Sequence, residues 1–409
     1  MNRKKIIVIG AGPAGLFGAI RCARSGAQVT VLECLPSPGR KLLASGAGKC
    51  NLTNILPPDA MTARFPAPQR RFIRPALHAF SSRDLRACFA SCGLPCKLTD
   101  GFHYFPATER AGDVLDVLVE QLEALGGVIV CRAEVTGLEL AGGRVTAVTT
   151  AERRYPCDGV LAAGGGPGFP ALGGRGSLYH VLSAAGHTVV TPVPALSGLP
   201  AEGLPLDRLT GIILPRVRLT LDRKNFTEDT LLFTHDGISG PAVLDLSGRV
   251  SRRAASGGGV TLHLNPVPDR TPDDWAVFWR EKRRSRGARL VKNLLDEILP
   301  RALAEYFTLQ AGCAATPLHQ LRAAQQSRLD TLLTDWELTV PGLPPWQGAM
   351  AAAGGVSRDE VEPSSLRSRL LDNLAFAGEF LDVDGPCGGY NLQWAFSSGR
   401  LAGETLARS

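Results

Sequence analysis

Three glycines near the start of the chain have the type and spacing of a nucleotide-binding turn. Gly10, Gly12 and Gly15 belong to the stretch GAGPAG, which follows an apolar run and also contains Pro13 and Ala14. In this pattern the first glycine permits a tight turn, the second lets the backbone approach a pyrophosphate, and the third lets a helix lie close to a strand. The N–H groups at the start of that helix can bind phosphate oxygens. We therefore predict a dinucleotide site at this turn.

An acidic residue about twenty positions further on supports the same interpretation. Glu33 follows a second apolar run, residues 28–32. A carboxylate at the end of that strand can accept hydrogen bonds from ribose hydroxyls, and it would repel a 2′-phosphate. The turn therefore favours FAD or NAD over NADP. A strand–helix turn that binds no nucleotide is the alternative.

Periodicity predicts the helices and strands around these residues. Residues 112–125 carry apolar side chains at helical spacing and end at a glycine pair, which predicts an amphipathic helix. The runs 128–131, 134–140 and 144–149 predict three strands of a small antiparallel meander. A last helix is predicted over residues 391–407.

The pattern changes in the middle of the chain. From about residue 192 short strands alternate with Pro, Gly and Asp, which is typical of an antiparallel barrel or sheet, and residues 267–334 are helical in character. The economical interpretation is an α/β nucleotide-binding domain interrupted by an insertion. The predicted parts are residues 1–191 and 354–409 for the nucleotide-binding domain, 192–266 and 335–353 for a β-barrel, and 267–334 for a helical subdomain.

Composition excludes several classes of protein. The chain has 409 residues, of which 44% are hydrophobic and 20% charged, as in ordinary globular proteins. No apolar stretch reaches the roughly 18 residues that a membrane-spanning helix needs, and no cleavage site follows the first apolar run. We therefore expect a cytoplasmic protein without a membrane partner.

The ten cysteines do not form a metal-binding pattern. No CxxC pair is present. Cys88, Cys92 and Cys96 have a spacing that could place three thiols on one helix face, but Gly93 and Pro95 interrupt the helix before the third. We therefore expect no metal site.

The positive charge of the chain is concentrated in two runs. The net charge is +7, and residues 64–86 and 279–292 are rich in Lys and Arg. Runs of this kind are most often solvated faces. The alternative is a polyanionic partner, for which nucleic acid is the usual candidate.

Four separated segments carry a more specific pattern than the glycine turn alone. They are the GAGPAG turn with Glu33, residues 39–54 (GRKLLASGAGKCNLTN), residues 234–241 (THDGISGP) and residues 377–393 (AGEFLDVDGPCGGYNLQ). Together they resemble the bacterial BaiN/RdsA-type NAD(P)/FAD-dependent oxidoreductases. The resemblance covers nearly the full length. It implies a Rossmann-like FAD-binding domain of the glutathione-reductase type, interrupted by a β-barrel insertion that carries a small helical subdomain.

The resemblance assigns these segments to parts of FAD. The glycine turn would hold the pyrophosphate and Glu33 the adenosine ribose, with Arg40 and Lys41 on the adenosine or diphosphate side. Gly378 and Glu379 would hold the ribityl chain. The further residues expected at the cofactor are Ser45, Gly46 and Asn51 in the 39–54 segment, Ala163 and Gly164 in a second glycine-rich turn, and Gly388, Gly389, Tyr390 and Asn391 at the start of the last helix. The positive end of that helix would stabilise negative charge on the reduced flavin.

The activities of the family are diverse, so the substrate is open. The specific prediction is reduction of the C5=C6 bond of a uridine in ribosomal RNA to dihydrouridine, with RNA bound by the two basic runs. One alternative is oxidation or reduction of a small amine, ketone or enone in a cleft between the domains, and another is a flavin-bearing RNA-binding protein without turnover. NAD(P)H is expected only as a transient reductant, because no second GxGxxG turn joins a strand to a helix.

Reduction of a uracil requires a general acid to protonate C5. Cys50, His235 and Tyr390 are candidates by position, as is Cys387, and Asp236 could orient His235. A cysteine is attractive because a thiol can release a proton near neutral pH. Structural roles are the alternative for each, and the sequence does not select among them.

Overall fold

The computed structural model describes residues 3–408, which divide into two compact units. The first unit holds the described residues up to Val193 and those from Met350 onward, and the second is Pro194–Ala349. Elements are numbered in chain order. The strands are β1 (Lys5–Ile9), β2 (Gln28–Leu32), β3 (Thr53–Asn54), β4 (Cys96–Thr99), β5 (His103–Pro106), β6 (Val128–Val130), β7 (Val135–Ala141), β8 (Arg144–Thr150), β9 (Arg154–Pro156), β10 (Gly159–Ala162), β11 (Val189–Ala195), β12 (Leu199–Pro200), β13 (Ile213–Asp222), β14 (Asn225–Phe233), β15 (Gly237–Ser239), β16 (Val260–Asn265), β17 (Trp336–Val340), β18 (Ala351–Val356) and β19 (Leu374–Phe376).

Fourteen α-helices accompany these strands in the described chain. They are α1 (Pro13–Arg24), α2 (Arg40–Ala44), α3 (Pro58–Arg64), α4 (Ala67–Ala79), α5 (Ser82–Ser91), α6 (Ala111–Ala124), α7 (Ser177–Ala184), α8 (Leu206–Leu209), α9 (Pro241–Ala255), α10 (Pro272–Arg286), α11 (Val291–Leu295), α12 (Arg301–Gln310), α13 (Ala323–Thr334) and α14 (Tyr390–Arg408). None of these helices is both long and apolar enough to cross a membrane.

A five-stranded parallel sheet forms the centre of the first unit. Its strand order is β19-β10-β1-β2-β6, and every neighbouring pair is parallel. The sequence of β1 explains its central position, because Ile6 to Ile9 are apolar and almost fully buried, as expected of a strand covered on both faces. The carboxyl end of β1 carries the glycine turn, so the predicted Rossmann-type α/β fold is confirmed.

One part of the predicted meander was wrong. The run at 128–131 forms β6, which pairs with β2 in the parallel sheet, and the third strand of the antiparallel meander β7-β8-β9 is instead Arg154–Pro156. A short apolar run has no periodicity that distinguishes a parallel strand from an antiparallel one. The preceding helix α6 was the better indicator, since a strand that follows a crossover helix usually pairs in parallel.

The second unit is built on a six-stranded antiparallel sheet of order β12-β15-β14-β13-β16-β17. A single antiparallel bridge joins Glu202, just after β12, to Thr339 on β17, so the two edges of the sheet meet as in a barrel. Helix α9 lies within the segment that the sequence assigned to strands alone. Helices α10 to α13 supply much of the core of this unit, including the buried Trp275 and Trp279.

Glycines allow the first and last helices of the first unit to touch along their backbones. A Cβ atom on Gly399 of α14 would overlap the carbonyl oxygen of Ala14, and one on Gly403 would overlap that of Gly18. On α1, a Cβ atom on Gly18 would lie 2.9 Å from the carbonyl oxygen of Gly399. The two helices can therefore keep this distance only while these positions lack side chains. We call this contact the glycine seam.

We expect Gly399→Ala to destabilise the protein by about 1–3 kcal/mol, the cost of adding a methyl group to a close-packed contact. Gly112→Ala in α6 is the matched control, because a Cβ atom there meets nothing within 4 Å. Alanine favours helix, so the control should be neutral or slightly stabilising. Urea unfolding of both variants provides the measurement, and equal midpoints would contradict the seam.

A buried histidine forms hydrogen bonds with the segment that precedes β19. His187 is 2% exposed, its Nδ1 lies 3.2 Å from Glu360 Oε2, and its Nε2 lies 3.1 Å from Ser368 Oγ. The backbone N–H of Thr188 also donates to Glu360, at 2.8 Å. Burial lowers the pKa of His187 below its usual value, against the opposing effect of Glu360. The fold therefore disfavours protonation of this imidazole.

The free energy of unfolding should fall as the pH is lowered from about 7 to about 5. The unfolded chain takes up a proton on this imidazole near pH 6.5, whereas the folded chain resists it, so the stabilisation is complete above that pH and is lost below it. Chemical unfolding at a series of pH values gives the slope. In His187→Gln the slope should be shallower, and an unchanged slope would contradict the assignment.

Candidate active site

The glycine turn has the geometry of an open phosphate cradle. Gly10 has φ +101°, and a Cβ atom on it would lie 2.5 Å from the carbonyl oxygen of Ala163. A Cβ atom on Gly15 would overlap the carbonyl oxygen of Gly10, whereas one on Gly12 meets nothing within 4 Å. Helix α1 begins at Pro13, and no side chain caps it. The turn is therefore closely packed at Gly10 and Gly15, whereas the space next to Gly12 contains no protein atom. The N–H groups at the start of α1 have no partner within the helix.

Glu33 is held beside this turn by the backbone. Its Oε2 accepts a hydrogen bond of 2.8 Å from the N–H of Ala11, and its Oε1 accepts one of 3.0 Å from the N–H of Leu35. The side chain is buried, and together with burial its charge raises the pKa of the neighbouring Cys34 thiol to about 12. A carboxylate has further lone pairs for ribose hydroxyls. Its binding of ribose stays a prediction.

Lys41 and Glu379 form an ion pair of 2.9 Å. The ammonium group of Lys41 also donates to the carbonyl oxygen of Gly166, and Glu379 accepts hydrogen bonds from the N–H groups of Gly166 and Ala352. The sequence grouped Lys41 with Arg40 on the adenosine or diphosphate side, whereas the structure places Lys41 on the acid assigned to the ribityl chain. Arg40 makes no hydrogen bond or ion pair within the described residues.

The second glycine-rich turn and Gly378 both lie against the first turn. Ala163 contacts Gly10, as described above, and Gly164 contacts Leu178. Gly378 has φ +71°, and a Cβ atom on it would lie 2.8 Å from the Cβ of Ala14. The N–H of Gly378 donates to Ser398 Oγ at 2.9 Å. Residues far apart in sequence therefore meet at the amino end of α1.

The 45–51 loop is tightly wound. Gly46, Ala47 and Cys50 all have positive φ values of 55–61°, and the hydroxyl of Ser45 donates to the carbonyl oxygen of Leu42 at 2.6 Å. The side-chain oxygen of Asn51 is buried and has no hydrogen-bond partner in the described structure. Such an atom is unusual in a folded protein, and it is suited to accept a hydrogen bond from a ligand.

The loop leads into β3, which packs against the start of the last helix. The amide of Asn54 donates to the carbonyl oxygen of Gly388 at 2.8 Å, and a Cβ atom on Gly389 would lie 2.7 Å from the backbone of Thr53. Asn391 uses its side chain to hold the N–H and carbonyl of Gly385, at 2.8 and 2.9 Å. The backbone of this segment, rather than the Asn391 amide, is therefore the part free to face a ligand.

The candidate acids fall in different places. Cys50 is fully buried, and burial raises the pKa of its thiol to about 12, which weakens the reason for choosing it. Tyr390 is also buried, with its ring 6.0 Å from that of Phe65. His235 lies in the second unit, exposed in the turn between β14 and β15, and Asp236 accepts a hydrogen bond from Thr234 and not from His235. Cys387 is exposed beside Gly388.

A histidine that the sequence patterns did not indicate also lies at this site. His103 on β5 lies beside Gly388, because its Nε2 is 3.1 Å from the position of a Cβ atom on that glycine. Its Nδ1 lies 2.8 Å from Asp100 Oδ2. The only signal in the sequence is Asp100-Gly101-Phe102-His103, a turn followed by a short strand, and nothing in it indicates the contact with residue 388.

No group of three or more His, Cys, Asp or Glu side chains capable of holding a metal ion occurs among residues 3–408. Helix α5 ends at Ser91, and Cys96 lies on β4, so the three spaced cysteines do not share a helix.

Comparison with known proteins identifies the family. Residues 4–405 match the family model described as the HI0933-like protein Rossmann domain. The chain belongs to this family. The family, the fold class and the enzyme class expected from the sequence, a Rossmann-type FAD-binding oxidoreductase, are thereby confirmed.

Two curated relatives match this chain over almost their whole length. The 3-dehydro-bile acid delta(4,6)-reductase of Clostridium scindens is 33% identical over 100% of this chain and 99% of its own. The ribosomal RNA dihydrouridine synthase of Escherichia coli is 30% identical over 99% of this chain and 98% of its own.

Among solved structures, the 3-ketosteroid-delta4-(5alpha)-dehydrogenase of Rhodococcus jostii RHA1 is similar in fold. It is 16% identical, with a TM-score of 0.53, and the match covers 99% of this chain and 97% of that one. The 3-ketosteroid delta1-dehydrogenase of Sterolibacterium denitrificans is 12% identical, with a TM-score of 0.52 and full coverage of both chains.

Gly12→Ala should leave the fold intact and reduce the amount of flavin that copurifies with the protein. A methyl group at Gly12 meets no protein atom within 4 Å, yet it would occupy the space above the turn. The measurements are the flavin-to-protein absorbance ratio and the melting temperature after removal of flavin. Normal flavin content in a folded variant would contradict this use of the turn.

Proposed function

We propose that this chain is an FAD-dependent reductase of carbon–carbon double bonds conjugated to a carbonyl group, and that its substrate is a uridine of ribosomal RNA. The observation that supports FAD as the cofactor is the open glycine turn at the start of α1. No side chain caps this helix, and no protein atom lies within 4 Å of a Cβ atom on Gly12. An NAD(P)H reductant that binds only transiently, and a cytoplasmic location, remain predictions.

The residues present fit FAD at several points. Gly12 leaves room for a pyrophosphate, Glu33 lies where a ribose would follow, and the buried oxygen of Asn51 lacks a partner. Gly378 and Glu379 lie beside the same turn, with the carboxylate restrained by Lys41. We infer that these groups hold one extended cofactor. When bound and reduced, FAD would supply the hydride.

The substrate class follows from what the curated relatives have in common. One is named as a reductase of a 3-dehydro-bile acid, and the other as a synthase of dihydrouridine. In each case the double bond that is reduced is conjugated to a carbonyl group. The shared reaction therefore supports the reaction type proposed here, while identities of 33% and 30% do not choose between the substrates.

The arginines of α4 favour a polyanionic substrate. Arg70, Arg71, Arg74 and His78 line an open surface cavity of about 740 Å³ in the first unit. Arg74 and His78 both contact the carboxylate of Asp59, and Glu362 also lines the cavity. Arg71 has no ion-pair partner among the described residues, so its charge is available to a phosphate. Since phosphate neutralisation supplies most of the affinity for RNA, this surface supports the ribosomal RNA hypothesis.

The second basic run is partly neutralised. Lys282, Arg286 and Arg289 all contact the carboxylate of Glu297, at 2.7–2.8 Å. This carboxylate has its pKa lowered by the same cations, foremost by the hydrogen bond from Lys282. The run between residues 279 and 292 therefore offers less free charge than the sequence suggests.

Deletion of the gene should remove one dihydrouridine from ribosomal RNA, as mapped by mass spectrometry. Complementation with the wild-type gene should restore it, and Gly12→Ala should not. Arg71→Ala should restore it only in part, with a salt dependence of RNA binding that is shallower by about one unit of slope.

Arg286→Ala is the matched control for that experiment, because Arg286 is already paired with Glu297.

An unchanged dihydrouridine map, together with rapid oxidation of the reduced protein by a small enone, would replace the RNA hypothesis with the small-molecule one. A flavin that neither NAD(P)H nor any substrate reduces would favour the non-catalytic alternative.

A further inference from the structure

His103 is fixed in a defined orientation by Asp100. The Nδ1 of the imidazole is 2.8 Å from Asp100 Oδ2, and Oδ1 of the same carboxylate accepts the N–H groups of Phe102 and His103, each at 3.1 Å. One carboxylate therefore shapes the turn before β5 and sets the plane of the ring. The bond to His103 also lowers the pKa of Asp100.

The other edge of the imidazole is directed towards the start of α14. Its Nε2 lies 3.1 Å from the position of a Cβ atom on Gly388, and the side chain is 27% exposed. Strand β5 is paired with β3, with His103 opposite Asn54, and Asn54 donates to the carbonyl oxygen of Gly388. The ring is thus held at a fixed position on the segment expected to carry the reactive end of the cofactor, and it remains accessible.

We propose that His103 is the general acid of the reaction, and that Asp100 is its positioning residue. This inference rests on the proposed function. Reduction of one conjugated C=C bond adds a hydride to one carbon and a proton to the carbon next to the carbonyl group. The hydride, with its two electrons, comes from the reduced flavin. The proton comes from Nε2 of the imidazolium form of His103, which is left neutral with its Nδ1–H bonded to Asp100.

Few other ionisable groups surround the ring in the described structure. On β4, Lys97 is paired with Glu109 at 2.6 Å. The ring of Tyr390 also lies against Gly388, with its Cε2 atom 3.3 Å from the same Cβ position. Arg86 lies over the ring of Tyr104, and Asp113 at the start of α6 lies 3.6 Å from Arg110. Asp100 is thus the carboxylate in contact with the imidazole. Cys50 is a weaker candidate, because burial raises the pKa of its thiol to about 12.

The test is His103→Asn in the flavin-loaded protein. The asparagine amide can still donate to Asp100, but its N–H protons are not acidic enough to be transferred. With the flavin reduced under anaerobic conditions, oxidation by a uridine-containing ribosomal RNA fragment or by an enone is expected to slow by about 100-fold or more, the usual contribution of a general acid. Reduction of the flavin by NAD(P)H and the dissociation constant for FAD should not change.

Two further variants separate acid catalysis from structure. The His103→Ala variant should regain rate when free imidazole is added, whereas no such rescue is expected if the histidine is purely structural. The Asp100→Asn variant should alter the pH profile of oxidation. His263→Asn is the matched control, because His263 forms a similar pair with Asp335 at 2.9 Å in the second unit.

The outcomes distinguish the two proposals. If the reduced wild-type protein transfers hydride to neither acceptor, the proposed function fails, and the role of His103 fails with it. If the wild type is active and His103→Asn is equally active, or if imidazole does not rescue His103→Ala, only the general-acid assignment is overturned.

Discussion

Helices α1 and α14 approach so closely that a Cβ atom has no room at Gly18, Gly399 or Gly403. This contact decides where the ends of the two helices lie. The amino end of α1 carries the glycine turn, and Gly378, which leads towards α14, rests on Ala14. The candidate cofactor site is thereby assembled from the first and last parts of the chain. A side chain in the seam would separate these parts without touching the site itself.

Electrostatic restraint adds to this contact. Glu379 is bonded to Lys41, to Gly166 and to Ala352, so one carboxylate links four segments of the first unit. Beside the glycine turn, the carboxylate of Glu33 accepts hydrogen bonds from the N–H groups of Ala11 and Leu35. Both acids were expected to bind ribose or ribityl hydroxyls. Each is in fact already engaged by the protein, which fixes its orientation in advance and reduces the entropy that ligand binding would have to offset.

Local patterns explain which parts of the fold could be predicted. The glycine turn, α6 and the last helix depend on residues near one another in sequence, and for that reason the sequence predicted them. The helix Pro241–Ala255 does carry local signals, a proline in its first turn and buried residues at helical spacing, and the sequence interpretation missed them. The pairing of Val128–Val130 with β2 depends on a strand that is remote in sequence. The same reason hid His103, because its significance comes from Gly388, 285 positions later in the chain. The ion pair between Lys41 and Glu379 likewise joins residues that are remote in sequence.

Ser368, His187 and Glu360 have the hydrogen-bond connectivity of a hydrolase triad. Ser368 Oγ, however, also accepts the N–H groups of Leu370 and Leu371, each at 2.9 Å. Its lone pairs are therefore occupied, and its hydroxyl proton is left to point at the imidazole. An oxygen in that state cannot attack a carbonyl carbon. A search for serine nucleophiles by distance alone would select this site, and counting the bonds that the oxygen accepts would reject it.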